Sequence, residues 1–560
     1  MLLVKGNKIT FKYESQTRDL LLRISFRIDS RSRIGIVGKN GSGKSTLLKL
    51  LLGELRPNSG HLQSSPEVRI GYLKQVQSNN DTLSVSDYVW NANPSLYKIK
   101  KRLSLIENTP DNQDWTVFTE YEEAGGYDFE VAIEKNLKEV GLDTSFLERP
   151  LQTLSGGEKT KVGLLRILVT EPDILLLDEP TNNLDVSAIQ WLKAFLGSSK
   201  LPLIVVSHDR SLLDDSVNEI WDLEYGSLKV FSGNYSFLQK TKDQNFQADL
   251  EEFELQQKKV EQLSSAASTR RVDANRMENF KKTRSVKNNG GLCKRDEGSG
   301  SGSADPTKKM RTAKAVEKRV QLMIEREEAK KPWIEKKRKI ILPVSSPCNS
   351  KTVLSAKDLC LNYGDRMIFS DLDFYVDRGQ RLAIVGENGC GKTSLIKLLH
   401  SELSLDHGEI KWAASAAVNT FYQETVDLSD KSTIIQSVWQ PEVVEEHIAR
   451  TVLGSLGLDA SIINQKIEHL SPGEKVKTSL AKTILSGANV LVLDEPTNHL
   501  EVQAREMLEQ ALCEYEGTVV FVSHDTAFIE RVGTQIFDLS KNQMFRSFTE
   551  WENNIKGELR

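Results

Sequence analysis

The residues best suited to chemistry form two copies of one phosphate-binding pattern. Residues 38–45 read GKNGSGKS and residues 386–393 read GENGCGKT, so both fit G-x-x-x-x-G-K-[ST]. Each copy follows a short β-branched apolar run and precedes a helix-like stretch. In that context the glycines let backbone amides close around phosphates, and the lysine reaches the terminal phosphate oxygens. We therefore expect the chain to bind a nucleoside triphosphate at two places.

The internal repeat continues downstream of each phosphate loop. Residues 154–158 read LSGGE and residues 470–474 read LSPGE, while DEPTNNLD at 178–185 matches DEPTNHLE at 494–501. The stretches VVSHD and FVSHD then end at Asp209 and Asp525. Order and spacing are kept, and buried strand patterns alternate with amphipathic helix patterns. Each repeat is therefore predicted to be an α/β domain with a largely parallel sheet.

Polar residues at the ends of apolar runs suit metal binding and hydrolysis. Carboxylates and hydroxyls suit Mg²⁺, a second carboxylate can orient or deprotonate water, and a histidine can contact a γ-phosphate. The residues in those positions are Asp178, Asp494, Ser45 and Thr393 for the metal, Glu179 and Glu495 for water, and His208 and His524 for the phosphate. A single buried polar residue is usually structural, but an ordered set that occurs twice favours catalysis.

The ordered motifs resemble the nucleotide-binding domains of the ATP-binding-cassette (ABC) superfamily, whose signature is LSGGE. The resemblance implies ATP and Mg²⁺ as cofactors, with Gln75 and Gln423 as further metal and water contacts. Tyr13 and Tyr363 are expected to stack on adenine, although aromatics at strand ends are also common in cores. The remaining implied nucleotide contacts are Gly38, Asn40, Gly41, Gly43, Lys44, Thr46, Ser155, Gly156, Gly157, Glu158, Gly386, Asn388, Gly389, Gly391, Lys392, Ser394, Ser471, Gly473 and Glu474.

In that superfamily the signature of one cassette completes the ATP site of the other. Lys44 should then face Ser471 and Gly473, while Lys392 should face Ser155 and Gly157. Departures between the copies predict two unequal sites: Pro472 replaces a glycine, His499 stands opposite Asn183, and Glu501 replaces an aspartate. Proline is tolerated in the first turn of a helix, and both copies keep the glutamate.

Composition is that of an ordinary protein with an uneven charge distribution. The 560 residues carry a net charge of −4, yet residues 240–339 hold 26 Lys and Arg against 16 Asp and Glu. A basic connector thus joins two acidic domains. The N-terminus lacks a signal-peptide pattern, no apolar run is long enough to span a bilayer, and the five cysteines are not spaced as metal ligands. We expect a cytoplasmic protein without membrane contact.

The predicted domains are a first cassette at 1–239, a linker at 240–345 and a second cassette at 346–560. In the linker, helical patterns at 245–282 and 308–331 flank a Gly- and Ser-rich tip at about 285–307. This pattern predicts an antiparallel helical hairpin that enters RNA, the alternative being a solvated linker. The first cassette is 32 residues longer between Gln75 and Leu154 than the second between Gln423 and Leu470. That insertion, at about 85–130, is expected to form an arm rather than a plain loop.

Tandem cassettes with this linker resemble the ABC-F class of ribosome-associated ATPases. The resemblance implies an α/β fold of two ABC-type domains joined by a long helical hairpin, and a monomer whose cassettes pair within the chain without an obligatory protein partner. It also implies binding at the 70S ribosome's exit site, with contacts to 23S rRNA and the P-site tRNA. The expected contacts at the tip are Lys287, Leu292, Cys293, Lys294 and Arg295.

Several functions remain open within and beyond that class. The long connector and short arm favour an antibiotic-resistance factor, with pleuromutilin, lincosamide and streptogramin A drugs as the expected classes. A housekeeping translation factor shares the rest of the architecture. The ATPase pair of a membrane transporter has no use for a basic hairpin, and DNA-maintenance ATPases split one cassette around a much longer coiled coil.

Overall fold

The computed structural model covers most of both cassettes and part of the connector. It describes residues 1–14, 19–39, 41–65, 68–74, 83–107, 115–182, 184–287, 342–344, 346–364, 366–422, 432–458, 460–498 and 500–558, with 311, 314, 315, 318 and 322. The chain divides into two compact units, Met1–Ser236 with Arg338–Arg560 and Phe237–Lys337. Both cassettes belong to the first unit, and both have the predicted mixed α/β fold.

The first cassette contains two sheets. Its strands are β1 Leu2–Phe11, β2 Leu21–Asp29, β3 Arg33–Val37, β4 Ser59–Ser64, β5 Ile70–Leu73, β6 Ile174–Asp178, β7 Leu203–Val206, β8 Glu219–Glu224 and β9 Ser227–Ser232. One sheet has the antiparallel order β2-β1-β4, and the other has the order β5-β6-β7-β3-β8-β9. In the second sheet only β9 pairs antiparallel, with β8.

The helices of the first cassette follow the strands of the parallel sheet or lie in the insertion. They are Lys44–Leu51, Val85–Trp90, Pro94–Glu107, Trp115–Glu123, Gly126–Glu139, Gly156–Leu168, Val186–Ser198 and Arg210–Ser216, with 3₁₀ turns at Thr144–Glu148 and Leu151–Thr153. The insertion is packed around Tyr121, which is fully buried and donates its hydroxyl to Glu130 at 2.9 Å. Lys100 pairs with the same carboxylate, and its Nζ lies 5.0 Å from the centre of the Trp90 ring.

The second cassette repeats this architecture. Its strands are β10 Thr352–Tyr363, β11 Arg366–Asp377, β12 Arg381–Val385, β13 His407–Trp412, β14 Val418–Phe421, β15 Val490–Asp494, β16 Thr518–Val522, β17 Gln535–Asp538 and β18 Gln543–Phe545. They form an antiparallel sheet β11-β10-β13 and a sheet β14-β15-β16-β12-β17-β18, the same orders as in the first cassette. The helices are Lys392–Leu399, Ile434–Val438, Glu446–Ser455, Ala460–Ile463, Pro472–Ile484, Val502–Glu514, Thr526–Val532 and Phe548–Glu558, with a 3₁₀ turn at Ile467–His469.

Burial explains why the sequence forms these sheets. The central parallel strands are covered on both faces, so β6 and β15 read as continuous apolar runs that end in an aspartate. A core in the first cassette packs the antiparallel sheet and the helix Lys44–Leu51 against the parallel sheet. Because the carboxyl ends of β3 and β6 lie at one edge of that sheet, the phosphate loop and the Asp-Glu pair come together there.

The second unit contains one long helix. The helix Tyr235–Lys287 has 53 residues, which at about 1.5 Å per residue reach roughly 80 Å. It begins ten residues earlier than the predicted run at 245–282. Phe246, Leu250 and Phe253 are half-buried among exposed neighbours, as expected for an apolar stripe. The five described residues between 311 and 322 are helical. Of the predicted tip at about 285–307, residues 285–287 belong to the long helix, and 288–307 lie outside the described residues.

No described helix combines the length and apolar character needed to cross a membrane. The four cysteines in the described part of the chain, at 348, 360, 390 and 513, carry free thiols.

Candidate functional site

The two phosphate loops have the same backbone geometry. Gly43 and Gly391 precede their helices in the left-handed region, with φ of 103° and 100°, which a glycine adopts without strain. Lys44 Nζ donates to the carbonyl oxygens of Gly38 and Lys39 at 2.7 and 3.2 Å. Lys392 Nζ makes the matching bonds to residues 386 and 387, at 2.9 and 2.8 Å. Each ammonium group therefore lies over its own loop, where phosphate oxygens would bind.

The predicted adenine-stacking tyrosines lie beside the helices that begin at the phosphate loops. Tyr13 Oη is 3.2 Å from Thr46 Oγ1, and Tyr363 Oη is 3.3 Å from Ser394 Oγ. Tyr363 is 49% exposed, so one face of its ring is free of the core. This placement suits stacking, which stays a prediction for both tyrosines.

The candidate catalytic glutamates follow β6 and β15 in an unusual backbone conformation. Glu179 and Glu495 have φ of 48° and 49°, a region that residues with a Cβ adopt only at a cost of about 1–3 kcal/mol. Each side chain accepts a hydrogen bond from the backbone amide of the switch histidine, His208 or His524, at 3.3 Å. This bond holds each carboxyl group beside the loop that contains the histidine, which we call the switch loop.

Burial controls protonation at both glutamate–histidine pairs. It raises the pKa of Glu179 to about 7 and that of Glu495 to about 8. It lowers the pKa of His208 to about 3 and that of His524 to about 4. His208 Nε2 and Glu179 Oε1 are 3.3 Å apart, and the second pair is 3.4 Å apart. Because both imidazoles are neutral at pH 7, these contacts are not ion pairs.

Oxygen ligands suited to Mg²⁺ lie next to the phosphate loops. Thr393 and Asp494 line the same cavity as Lys392, and hydroxyl and carboxylate oxygens are the ligands that Mg²⁺ prefers. In the first cassette, Asp178 accepts a hydrogen bond from Tyr72 Oη at 3.4 Å. Burial raises the pKa of Asp178 and, with the help of this carboxyl group, that of Tyr72 to about 12. The residues present therefore fit a magnesium ion.

The two signature serines begin their helices with the same capping box. Ser155 Oγ accepts from the amide of Glu158 at 3.2 Å, and the Glu158 side chain accepts from the Ser155 amide at 2.7 Å. Ser471 and Glu474 form the equivalent pair. Pro472 occupies the first turn of the second signature helix, as predicted. Each signature thus presents a helix N-terminus able to bind an anion.

A cavity of about 610 Å³ joins residues of the two cassettes. Its lining includes the phosphate loop and catalytic pair of the second cassette with the signature and switch of the first: Lys392, Thr393, Asp494, Glu495, His524, Gly156, Glu179 and His208. Gly156 is the signature residue that lines the cavity with Lys392, whereas the predicted partners Ser155 and Gly157 are not among the lining residues, so their pairing with Lys392 stays a prediction. The other expected pairing, of Lys44 with Ser471 and Gly473, stays a prediction. Burial lowers the pKa of Lys44, and the charges of Glu179 and of Glu501 from the second cassette oppose that lowering.

Some predicted site residues lie outside the described part of the chain. They are Asn40, Gln75, Gln423, the tip residues Leu292, Cys293, Lys294 and Arg295, and two residues of the loops that follow the candidate catalytic glutamates, Asn183 and His499. We call these two loops, at 180–185 and 496–501, the D-loops. Lys287 is the last residue of the long helix. Their roles stay predictions.

Sequence reasoning missed three charged residues near the switch loops. Arg505 Nη1 donates to the His208 carbonyl oxygen at 3.4 Å, and Arg210 contacts Glu509 at 3.1 Å. Both contacts cross between the cassettes. The sequence offers one signal at Arg505. The matching position in the first repeat, four residues after Asp185, is Ile189, so a charged residue in one repeat replaces an apolar residue in the other.

Comparisons with known proteins agree with the geometry. The family model described as ABC transporter matches residues 21–182 and 369–498. The ATP-binding protein Uup of Haemophilus influenzae is 31% identical over 531 residues, which cover 92% of this chain and 76% of Uup. ABC transporter F family member 2 of Arabidopsis thaliana is 28% identical and covers 96% of this chain and 76% of its own length.

A solved structure shares the tandem arrangement. The complex of archaeal ribosomal stalk protein aP1 and archaeal ribosome recycling factor aABCE1 aligns with a TM-score of 0.55 and 18% identity. The alignment covers 95% of this chain and 87% of that chain, which shows a common fold.

Proposed function

The chain belongs to the ABC-F family of ATP-binding-cassette ATPases, and on that premise we propose that it binds the 70S ribosome with ATP held between its cassettes. It inserts its connector beside the P-site tRNA, near the peptidyl transferase centre, and leaves after hydrolysis. The observation that carries the proposal is the cavity where Lys392 and Glu495 meet the opposite signature residue Gly156.

Each half of the chain supplies what hydrolysis needs. Lys44 and Lys392 would move from their loop carbonyls to the phosphate oxygens of ATP, and the helix N-terminus behind each lysine adds positive potential. Bound Mg²⁺ would supply further positive charge at the phosphates, held by Ser45 with Asp178 and by Thr393 with Asp494. The glutamates orient or deprotonate water, and the switch histidines fix the glutamate side chains through their amides.

The connector supports the ribosomal part of the proposal. Its basic surplus lies partly on a helix of 53 residues, roughly 80 Å long. Lys258, Lys259 and Arg276 are exposed on this helix. Lysines and arginines on an exposed rod neutralise phosphates and release counterions, which gives sequence-independent affinity for RNA.

Within the family we propose a role in antibiotic resistance by ribosome protection. The long connector and the modest insertion support this role over that of a housekeeping factor. Pleuromutilin, lincosamide and streptogramin A drugs act where such a connector would end. Expression in a drug-sensitive strain tests the role: raised resistance to at least one of these classes is expected, and unchanged susceptibility to all three favours the housekeeping factor.

Ribosome co-sedimentation tests the binding proposal itself. A Glu179→Gln, Glu495→Gln double variant keeps ATP bound, so it should pellet with ribosomes when ATP is present and not when ATP is omitted. A Lys44→Ala, Lys392→Ala variant is the matched control, because it should not pellet in either condition. Absence of pelleting by the glutamine variant with ATP would refute ribosome binding and revive the transporter-subunit alternative.

A further inference from the structure

One arginine of the second cassette reaches three functional loops. Arg505 lies in the helix Val502–Glu514, and its side chain is only 13% exposed. Its Nε donates to the carbonyl oxygen of Leu500 at 3.0 Å, and its Nη1 lies 3.2 Å from Asp525 Oδ2. The same Nη1 donates to the carbonyl oxygen of His208 in the first cassette at 3.4 Å. A single guanidinium group thus joins the D-loop and switch loop of one cassette to the switch loop of the other.

A second arginine, which belongs to the first cassette, contacts the helix Val502–Glu514 of the second. Arg210 of the first cassette lies 3.1 Å from Glu509 of the second, and it donates to the carbonyl oxygen of Val502 at 3.4 Å. Glu509 is completely buried and also pairs with Arg531 of its own cassette at 3.0 Å. Charge-assisted bonds of this kind are about twice as strong as neutral ones. The first switch loop is therefore held against the helix Val502–Glu514 at two points.

The mirror-related interface lacks both arginines. Counting from Asp185 and Glu501, the position of Arg505 corresponds to Ile189, which is buried and apolar. Counting from the two switch histidines, Arg210 corresponds to Thr526, whose hydroxyl is 3.3 Å from that of Ser211. The interface around the second switch loop consequently has no cationic side chain at these two positions, which are Ile189 of the first cassette and Thr526 of the second.

The residue that Arg505 contacts, His208, also binds the candidate catalytic carboxylate of the first site. The His208 carbonyl accepts from Arg505, while the His208 amide donates to Glu179 Oε2 at 3.3 Å. Moving the His208 backbone therefore moves a hydrogen-bond donor of Glu179. Because Arg505 belongs to the other cassette, its hold on His208 exists only while the cassettes are in contact.

We propose that Arg505 is a positioning residue that holds the His208 backbone, and through it Glu179, so that hydrolysis at the first site depends on this arginine while the second site works without such a residue. The inference rests on the proposed roles of Glu179 and Glu495. It assigns the inequality of the two sites to one cationic side chain, in addition to the motif differences at Pro472 and Glu501.

Single-site backgrounds test this assignment. Glu495→Gln leaves the first site as the one that hydrolyses, and Glu179→Gln leaves the second. Adding Arg505→Ala should lower kcat at least tenfold in the Glu495→Gln background, with KM for ATP changing less than threefold. The loss of kcat in the Glu179→Gln background should be at least threefold smaller. Equal losses in the two backgrounds, or no loss in the first, would overturn the proposal.

Matched variants separate positioning from folding. Arg531→Ala removes the other arginine from Glu509, which leaves the contact of Arg505 with His208 in place, so both backgrounds should keep their rates. Arg505→Lys keeps a cationic donor of similar length and should recover part of the lost kcat, and thermal unfolding shows whether Arg505→Ala remains folded. If neither glutamine background alters the wild-type rate, the roles of Glu179 and Glu495 fail, and that outcome is distinct from failure of Arg505.

Discussion

Asp185 of the first cassette accepts a hydrogen bond from the backbone amide of Asn388 in the phosphate loop of the second, with an O···N distance of 3.2 Å. The same side chain caps the helix Val186–Ser198 through the amide of Ala188 at 2.9 Å. One carboxylate therefore joins the start of a helix in one cassette to the phosphate loop of the other. The next residue along the chain, Val186, is buried in the hydrophobic core of the second cassette.

Replacing Asp185 should affect both stability and nucleotide binding. Asp185→Ala removes the helix cap and should lower the free energy of unfolding by about 1 kcal/mol. It also removes the carboxylate that accepts a hydrogen bond from the Asn388 amide, so KM for ATP should change. Asp185→Asn keeps a capping oxygen and should be nearly as stable as the wild type. Urea unfolding and ATPase kinetics measure the two effects.

Ser84→Ala is the matched control for that prediction. Ser84 caps the helix Val85–Trp90 through the amide of Asp87 at 3.0 Å and does not line the cavity between the cassettes. Its loss should cost similar stability with KM for ATP unchanged. An unchanged KM for Asp185→Ala as well would contradict a role at the phosphate loop.

Removing both candidate bases should abolish turnover without unfolding the protein. Glutamine is isosteric with glutamate, and burial already favours the neutral form by raising the pKa of Glu179 and Glu495 to about 7 and 8. The double glutamine variant should lose roughly 100-fold or more of the ATPase rate, as expected for a lost general base. Its thermal midpoint should equal or exceed that of the wild type. A rate within threefold of the wild type would assign the chemistry to other residues.

The capping box of the second signature should make stability depend on pH. Hydrogen bonds from Ser471 lower the pKa of Glu474 from its ordinary value of 4.5. A lowered folded pKa means that the stabilisation is present above pH 4.5 and is lost as the pH falls through the folded pKa. Glu474→Gln should therefore unfold more easily than the wild type at pH 7, with a difference that shrinks below pH 4.5.

A double-mutant cycle identifies the source of that pH dependence. A Ser471→Ala background lacks the hydroxyl that donates to Glu474 Oε2 and accepts from the Glu474 amide, so Glu474→Gln should have a smaller effect at pH 7. An effect of Glu474→Gln that is the same at pH 7 and pH 4, in either background, would be incompatible with this assignment.

Charge on the connector should govern ribosome affinity. Lys258 and Lys259 are exposed on the long helix. Reversing both to glutamate should weaken co-sedimentation and reduce its dependence on salt, because fewer counterions are released on binding. Reversal of Lys5 and Lys357, which are exposed on the antiparallel sheets of the two cassettes, should have a smaller effect. Equal losses for the two pairs would indicate a general effect of net charge.

The parts of the molecule with local signals were predictable from sequence. The α/β class and the two cassettes are confirmed, because short β-branched runs such as Ile34–Val37 favour strands covered on both faces. The start of the long helix was predicted too late. Gly233, with φ of 142°, follows β9, and the helix begins at Tyr235, whereas the predicted run began at residue 245.

Contacts between the cassettes were harder to predict, because they depend on how two folded bodies meet. Arg505 and His208 are 297 positions apart, and neither helical periodicity nor motif spacing relates them. The capping role of Asp185 is local and could be predicted from its place before an apolar helix. Its contact with Asn388 could not be predicted from the sequence, because that contact exists only between the paired cassettes.

The central claim is that each signature serves the phosphate loop of the opposite cassette, and a signature variant in the single-site backgrounds tests it most directly. Ser155→Arg places a long side chain at the helix start that would meet the γ-phosphate, and Ser155→Thr, which keeps the cap, is its control. With Glu179→Gln, where Lys392 serves the working site, Ser155→Arg should lower the ATPase rate at least tenfold; with Glu495→Gln the rate should change less than threefold. The reverse pattern, a tenfold loss with Glu495→Gln alone, would show that each cassette completes its own site and would contradict the account.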